Sequence, residues 1–215
     1  MSVIPASLDH LILGASDLAL GIRWVEERTG IRAALGGVHA GRGTHNALLS
    51  LGPRCYLEIL APDPAQQKLA WFHNLPDLVE PRLAGWMAHP GDLAPIAERL
   101  RNARVSFDRP HEYSRQRPDG RTLRWELLRL TDDASGVLPI LIEWNSDSTH
   151  PADDAPAGCS LVHFEIAGPD PKQVQKTLRA VGIALPITLG DRLQLRASIA
   201  GPKGALDLIS ANNRG

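Results

Sequence analysis

Apolar positions along this chain switch repeatedly between two periods. In LDHLILG, residues 8–14, Leu11 and Leu13 alternate with His10 and Ile12, which predicts a strand whose successive side chains face opposite ways. Leu18, Ile22 and Val25 then recur at helical spacing, with Asp17 placed to cap the helix and Gly30 to stop it. The same switch returns twice. Leu93, Ile96 and Leu100 form a second helical stripe behind Asp92, and Val174, Leu178 and Val181 a third behind Asp170 and Pro171. Each helix is preceded by a short apolar strand and followed by strands ending in an acidic residue: YLEIL at Glu58, ILIEW at Glu143 and ALDLI at Asp207.

The three segments therefore read as one βαβββ unit repeated. His10, Gly85 and His163 each stand seven residues before the capping Asp, and the intervals to the closing acid are 48, 58 and 44 residues. Expected boundaries are residues 1–62, 83–145 and 159–215, with a connector at 63–82 and a polar, Pro/Ala-rich linker at 146–158. In the second unit, RPDGR reads as a hairpin turn. The strand alternation puts Leu11 and Leu13 toward the helix layer, so His10 faces the open side of the sheet. His163, opposite Phe164 and Ile166, is expected to do the same in its own unit.

Length and charge narrow the function. The 215 residues suffice for a large core without staples, and 23 Lys+Arg balance 24 Asp+Glu. A net charge of −1 argues against a phosphate-neutralising nucleic-acid surface. No apolar run approaches the roughly 20 residues of a membrane span. MSVIPASLDH lacks a basic n-region and a long apolar h-region, so no signal peptide is expected. Cys55 and Cys159 form no disulfide framework or CxxC pair, and a cytoplasmic protein is the expectation. No nucleophile elbow, phosphate loop or dinucleotide fingerprint occurs, leaving the open sheet face as the candidate site.

LDHLILGASDL, with the closing YLEILAPDP, resembles the vicinal-oxygen-chelate superfamily of glyoxalases, bleomycin-resistance proteins and extradiol dioxygenases. GGVHAGRGTHNALLSLGPRCYLEILAP is similar, more narrowly, to its glyoxalase-like branch. The motifs cover residues 7–62 and 83–145, and the repeat extends the likeness to 159–210. The resemblance implies an α+β fold whose βαβββ units curl into a half-barrel mixed sheet with helices outside. It implies a divalent metal (Zn, Mn, Fe, Ni or Co) on the concave face, held by His10, Glu58 and Glu143, with His163 and Asp207 as alternates. Gly85 stands where many members carry a second metal-ligating His. Glu143 and Glu58 become the expected catalytic carboxylates.

Around that face, Gly36, Gly37, Gly41 and Gly43 permit a tight loop, and Arg42, Thr44, His45 and Asn46 are expected at the cavity rim beside Tyr56. Arg115, Arg117, Arg121 and Arg124 read as a solvated basic hairpin, with an anchor for a substrate carboxylate or phosphate as the alternative, and His39, His73, His89, His111 and His150 read as surface residues. The implied function is a small-molecule metalloenzyme of isomerase, lyase or dioxygenase type, acting on an oxygen-rich substrate. A metal-free ligand-binding or drug-sequestering protein of the same fold is the alternative. A homodimer is the assembly expected, without nucleic-acid or membrane partners.

Overall fold

A computed structural model describes residues 4–117, 119–131 and 136–210. The first unit runs β1 (Leu8–Gly14), α1 (Leu18–Thr29), β2 (Ala34–His39), β3 (Thr44–Gly52) and β4 (Cys55–Pro62). The second runs β5 (Arg82–Ala88), α2 (Leu93–Ala103), β6 (His111–Gln116), β7 (Thr122–Leu128) and β8 (Ile140–Trp144). A short helix, α3 (Pro151–Asp154), leads to β9 (Ser160–Gly168), α4 (Lys172–Ala180), β10 (Ile187–Leu189), β11 (Gln194–Gly201) and β12 (Gly204–Ile209). Gln116 and Thr122 pair across the second-unit hairpin, whose Pro118 lies outside the described residues.

The fold is α+β. The first two units share one eight-stranded mixed sheet in the order β2-β3-β4-β1-β5-β8-β7-β6, joined where β1 and β5 run antiparallel. It curves until β2 approaches β6, nearly closing a barrel. Two glycines make the seam. A Cβ on Gly37, whose φ is 140°, would lie 2.6 Å from the Gln116 carbonyl oxygen, and one on Gly36 would lie 2.7 Å from Arg115 Nη1. Only glycine lets the strands come this close.

The helices lie on the convex side. Leu18, Ile22, Val25, Leu93, Ile96, Leu100, Val174, Leu178 and Val181 are all buried in one continuous core with Leu11, Leu13 and Trp86. Each fully buried Leu or Ile contributes about 1.5–3 kcal/mol, so the three stripes tie the helices firmly to the sheet. The third unit forms a separate four-stranded sheet, β10-β9-β11-β12, which packs on the convex side against α1 and directly against β3 and β5. Its Phe164 ring meets Trp86 edge-on at 5.0 Å, and α1 packs against β3 and β4 on one side and β11 and β12 on the other.

Two local expectations change. Asp17 caps α1 as the sequence predicts, accepting the Leu20 N–H at 2.8 Å. Asp92 makes no side-chain cap on α2; the Leu93 N–H donates instead to Glu143 Oε2 at 2.8 Å. The 146–158 linker is not a plain spacer, because His150 and Ala152 are buried against the sheet beside Leu48 and Tyr56.

Candidate functional site

The concave face of the large sheet encloses a cavity of about 270 Å³. One end is apolar and aromatic, with Trp71, Tyr113, Trp125, Trp144, Met87 and Ile142. The other is polar, with His10, His39, Asn46, Glu58 and Arg115. Strand pairing builds the polar end. His10 lies opposite Tyr56 and Ile12 opposite Glu58 on neighbouring parallel strands, while Asn46 reaches in from β3. The Tyr56 ring stacks on His10 with centroids 4.3 Å apart.

Three hydrogen-bonded links cross this floor. Arg115 Nη1 donates to Asn46 Oδ1 at 2.6 Å, and Asn46 Nδ2 donates to Glu58 Oε1 at 2.5 Å. Glu58 Oε2 stands 3.6 Å from His10 Nε2, and His10 Nδ1 donates to Asp9 Oδ1 at 2.6 Å. Asp9 could not reach its neighbour's ring from a regular strand, where they would face opposite ways. A register shift in the β1–β5 pairing at this residue turns both to one side. Asp9 Oδ2 then accepts from Trp144 Nε1 at 2.9 Å and from His150 Nε2 at 3.2 Å. His150 Nδ1 accepts the Ala152 N–H, which places the ring proton on Nε2, facing Asp9.

Charge follows from these contacts. Burial disfavours the His10 imidazolium, but Asp9 and Glu58 on either side outweigh it and raise its pKa to about 9. Burial also opposes ionisation of Glu58, yet His10, His39 and Asn46 prevail and lower its pKa to about 2. Asp9, likewise buried, is held well below the carboxylate range by His10 and His150. For His39 burial wins, lowering its pKa to about 4, and Glu58 only partly offsets it. The neutral His39 ring accepts from Asn46 Nδ2 at 3.3 Å and donates from Nδ1 to Thr44 Oγ1 at 2.9 Å.

These shifts predict a stability optimum near pH 6.5. His10 binds its proton more tightly folded than unfolded, so its contribution, about 3 kcal/mol, is lost as pH rises from 6.5 through 9. His39 is held neutral in the fold, so stability falls as pH drops from 6.5 through 4, and Glu58 adds to that loss between 4.5 and 2. Urea denaturation across pH 4–9 should trace this dome; a flat limb above pH 6.5 would contradict the His10 assignment.

Of the residues expected here, His10, Glu58, Arg42, Thr44, Asn46 and Tyr56 line the cavity. Three groups do not. His45 alternates with Thr44 and Asn46 and points to the opposite face of β3. Glu143 lies between Ile142 and Trp144, which face the cavity, so its carboxylate turns to the helix side and caps α2. His163 and Asp207 sit on the third sheet's outward face, where His163 Nε2 is 3.6 Å from Glu165 Oε2 and Ser198 donates to Asp207. Conversely, His39, His150 and Arg115, expected at the surface, are drawn into the floor, and Arg115 is only 4% exposed. Asp9 carries no signal in the sequence beyond standing next to His10.

His10 Nε2 and His39 Nε2 stand 3.6 and 3.7 Å from the two Glu58 oxygens, but the bonds these groups already make to Asp9, Thr44 and Asn46 do not suit a divalent ion. Among the described residues, no group of three or more His, Cys, Asp or Glu is placed to hold one. The second unit offers only the turned-away Glu143 and Gly85, where a Cβ would sit 3.9 Å from both Ile12 and Phe72. Asn46 already donates to Glu58, and the Arg115 guanidinium behind it adds positive charge where a cation would lie.

No curated protein sequence matches the chain. Among solved structures, a hypothetical protein from Staphylococcus aureus has the same fold, with a TM-score of 0.62 at 15% identity over 96% of this chain and 86% of that one. Methylmalonyl-CoA epimerase from Mycobacterium tuberculosis overlays with a TM-score of 0.47 at 23% identity, over 66% of this chain and 91% of that one. No helix among the described residues is long and apolar enough to cross a membrane. A family model described as the glyoxalase-like domain matches residues 8–182, covering both units that build the cavity. With more than half its length matched, and with the curved sheet and convex helices in place, the chain belongs to the glyoxalase-like domain family.

Proposed function

We propose that this protein is a metal-independent proton-transfer enzyme acting on a small oxygen-bearing molecule, in the manner of an isomerase. The observation that carries this reading is the 3.6 Å separation of the His10 imidazolium and the Glu58 carboxylate in a buried cavity. The two are close enough to hold opposite charges and too far apart for a short hydrogen bond. A substrate carbonyl oxygen would take the Nε2–H of His10, while Glu58 faces the adjacent C–H.

At rest Glu58 is a weak base, because His10 and Asn46 stabilise its charge. Turning the His10 proton toward a ligand oxygen withdraws part of that stabilisation and raises the proton affinity of Glu58 where it is needed. The enediolate-like anion then forms beside His10, with Asp9 holding the ring in place and Arg115 nearby. Reprotonation of the neighbouring carbon by the Glu58 carboxyl, as the hydroxyl proton passes to the former carbonyl oxygen, completes an isomerisation with no external reductant or oxidant.

The test is solvent deuterium incorporation into a panel of small α-hydroxy ketones, followed by proton NMR. Catalysed exchange should persist in EDTA and fall about 100-fold or more in Glu58→Gln. Exchange that vanishes on chelation and returns with added metal would sink the reading. The six aromatic side chains that line the cavity favour simple sequestration as a second reading; it predicts no exchange, with ligand binding surviving in Glu58→Gln.

A further inference from the structure

A second depression, of about 310 Å³, adjoins the cavity mouth and shares Arg42, Trp71, Tyr113, Glu112 and Leu127 with it. Its walls include three arginines from separate segments. Arg42 comes from the β2–β3 turn, Arg109 from the loop before β6, and Arg129 from just beyond β7. Two of them are held by stacking. Arg42 lies over the Tyr113 ring at 4.4 Å and the Trp71 ring at 5.3 Å, and Arg129 over Trp71 at 4.8 Å. Trp71 is therefore shared by two cations, and backbone bonds fix the arrangement. The Ala70 N–H donates to the Arg42 carbonyl at 3.0 Å, and the Asp108 N–H to the Arg129 carbonyl at 2.8 Å.

Stacking uses the faces of a guanidinium and leaves its edge, with the forked N–H donors, free. Among the described residues, neither Arg42 nor Arg109 has a carboxylate within ion-pair distance, and Arg129 only reaches Asp108 at 4.0 Å. Among the described residues, Asp108 and Glu112 also line the depression, leaving one positive charge in excess before His111 is counted. Converging arginines with unspent donors suit a phosphate-class oxyanion, which accepts bidentate hydrogen bonds at several oxygens.

We infer that this rim is an anion subsite, and that the ligand is a phosphate monoester or similar oxyanion-bearing molecule whose uncharged body enters the cavity. The inference rests on the reading of the cavity as the ligand site, but the rim can be tested separately. The first probe is inorganic phosphate, titrated at low ionic strength while the Trp71 indole signal, assigned with Trp71→Phe, is followed by 1H–15N NMR. A saturable shift is expected, weakened roughly fivefold in Arg42→Gln and in Arg129→Gln and unchanged in Arg121→Gln on the distant hairpin. No saturable shift, an equal shift with chloride at matched ionic strength, or variants that bind like the parent would overturn the subsite.

The second probe compares phenyl phosphate with phenol while the His10 ring is also followed. Phenyl phosphate should move Trp71 and His10 together and bind about tenfold tighter than phenol, with that gain lost in Arg42→Gln. If phosphate binds the rim but neither aryl probe reaches His10, the cavity reading fails while the anion subsite stands. If both aryl compounds bind equally at His10, the cavity stands and the subsite is overturned.

Discussion

Replacing Asp9 with asparagine is expected to cost about 3–5 kcal/mol of folding stability, the largest effect of any single change in the cavity floor. Asp9 is 2% exposed and accepts from three donors on three segments: His10 on its own strand, Trp144 on β8 and His150 in the linker. Asparagine keeps the shape but carries no charge, and its amide can accept at one atom only. One of the two Asp9 oxygens would become a donor facing another donor, and the His10 imidazolium would be left with Glu58 alone. For a chain of this size the loss corresponds to a melting temperature lower by about 10 °C. The His10 pKa should fall with it, so the variant loses its stability decline above pH 6.5. Urea unfolding at pH 7 checks the first effect and the same series at pH 9 the second. A loss below about 1 kcal/mol with an unchanged alkaline limb would mean that Asp9 does not hold His10.

Gly37→Ala should be nearly as damaging, for a different reason. The residue has φ 140°, where a side chain is strained, and its new methyl would meet the Gln116 backbone carbonyl at 2.6 Å. Backbone on both sides cannot yield as a flexible side chain would, so β2 must move away from β6. A cost of about 2–4 kcal/mol is expected, together with loss of the Arg115–Asn46 bond that crosses the seam. Gly85→Ala is the control. Its methyl would find ordinary contacts at 3.9 Å and no strained backbone, so the change should stay within about 1 kcal/mol. Equal losses in both variants would argue against a glycine-made seam.

The sequence reveals the architecture because helix stripes and strand alternation are local. Leu18, Ile22 and Val25 announce a buried face wherever the helix finally packs, and His10 opposite Leu11 already points to the open side of the sheet. Half of the cavity floor is legible for the same reason: Thr44, Asn46, Tyr56 and Glu58 fall on one face by parity. His45 could have been excluded by that parity, since it sits between Thr44 and Asn46.

The rest depends on contacts that no local pattern encodes. Asp9 joins His10 only through a register shift against β5. Arg115 lies 69 residues from Asn46, and His150 lies 141 residues from Asp9. Glu143 sits where the repeat places its closing acid, but the chain turns the residues on either side of it, Ile142 and Trp144, toward the cavity and uses the carboxylate to cap α2. The third unit keeps the repeat while its sheet packs on the convex side, so its histidine and acid never meet those of the first.

In the proposed reaction a charged His10, gripped between Asp9 and Glu58, takes the place of a metal. The direct measurement is a 15N NMR titration of the His10 ring in protein purified without chelator, with metal content determined on the same sample. Both ring nitrogens should remain protonated at pH 7.5, releasing a proton only near pH 9, with less than about 0.1 equivalent of transition metal bound. A His10 ring that is neutral at pH 7.5, with stoichiometric metal shifting its Nε2 resonance, would contradict a metal-independent reaction.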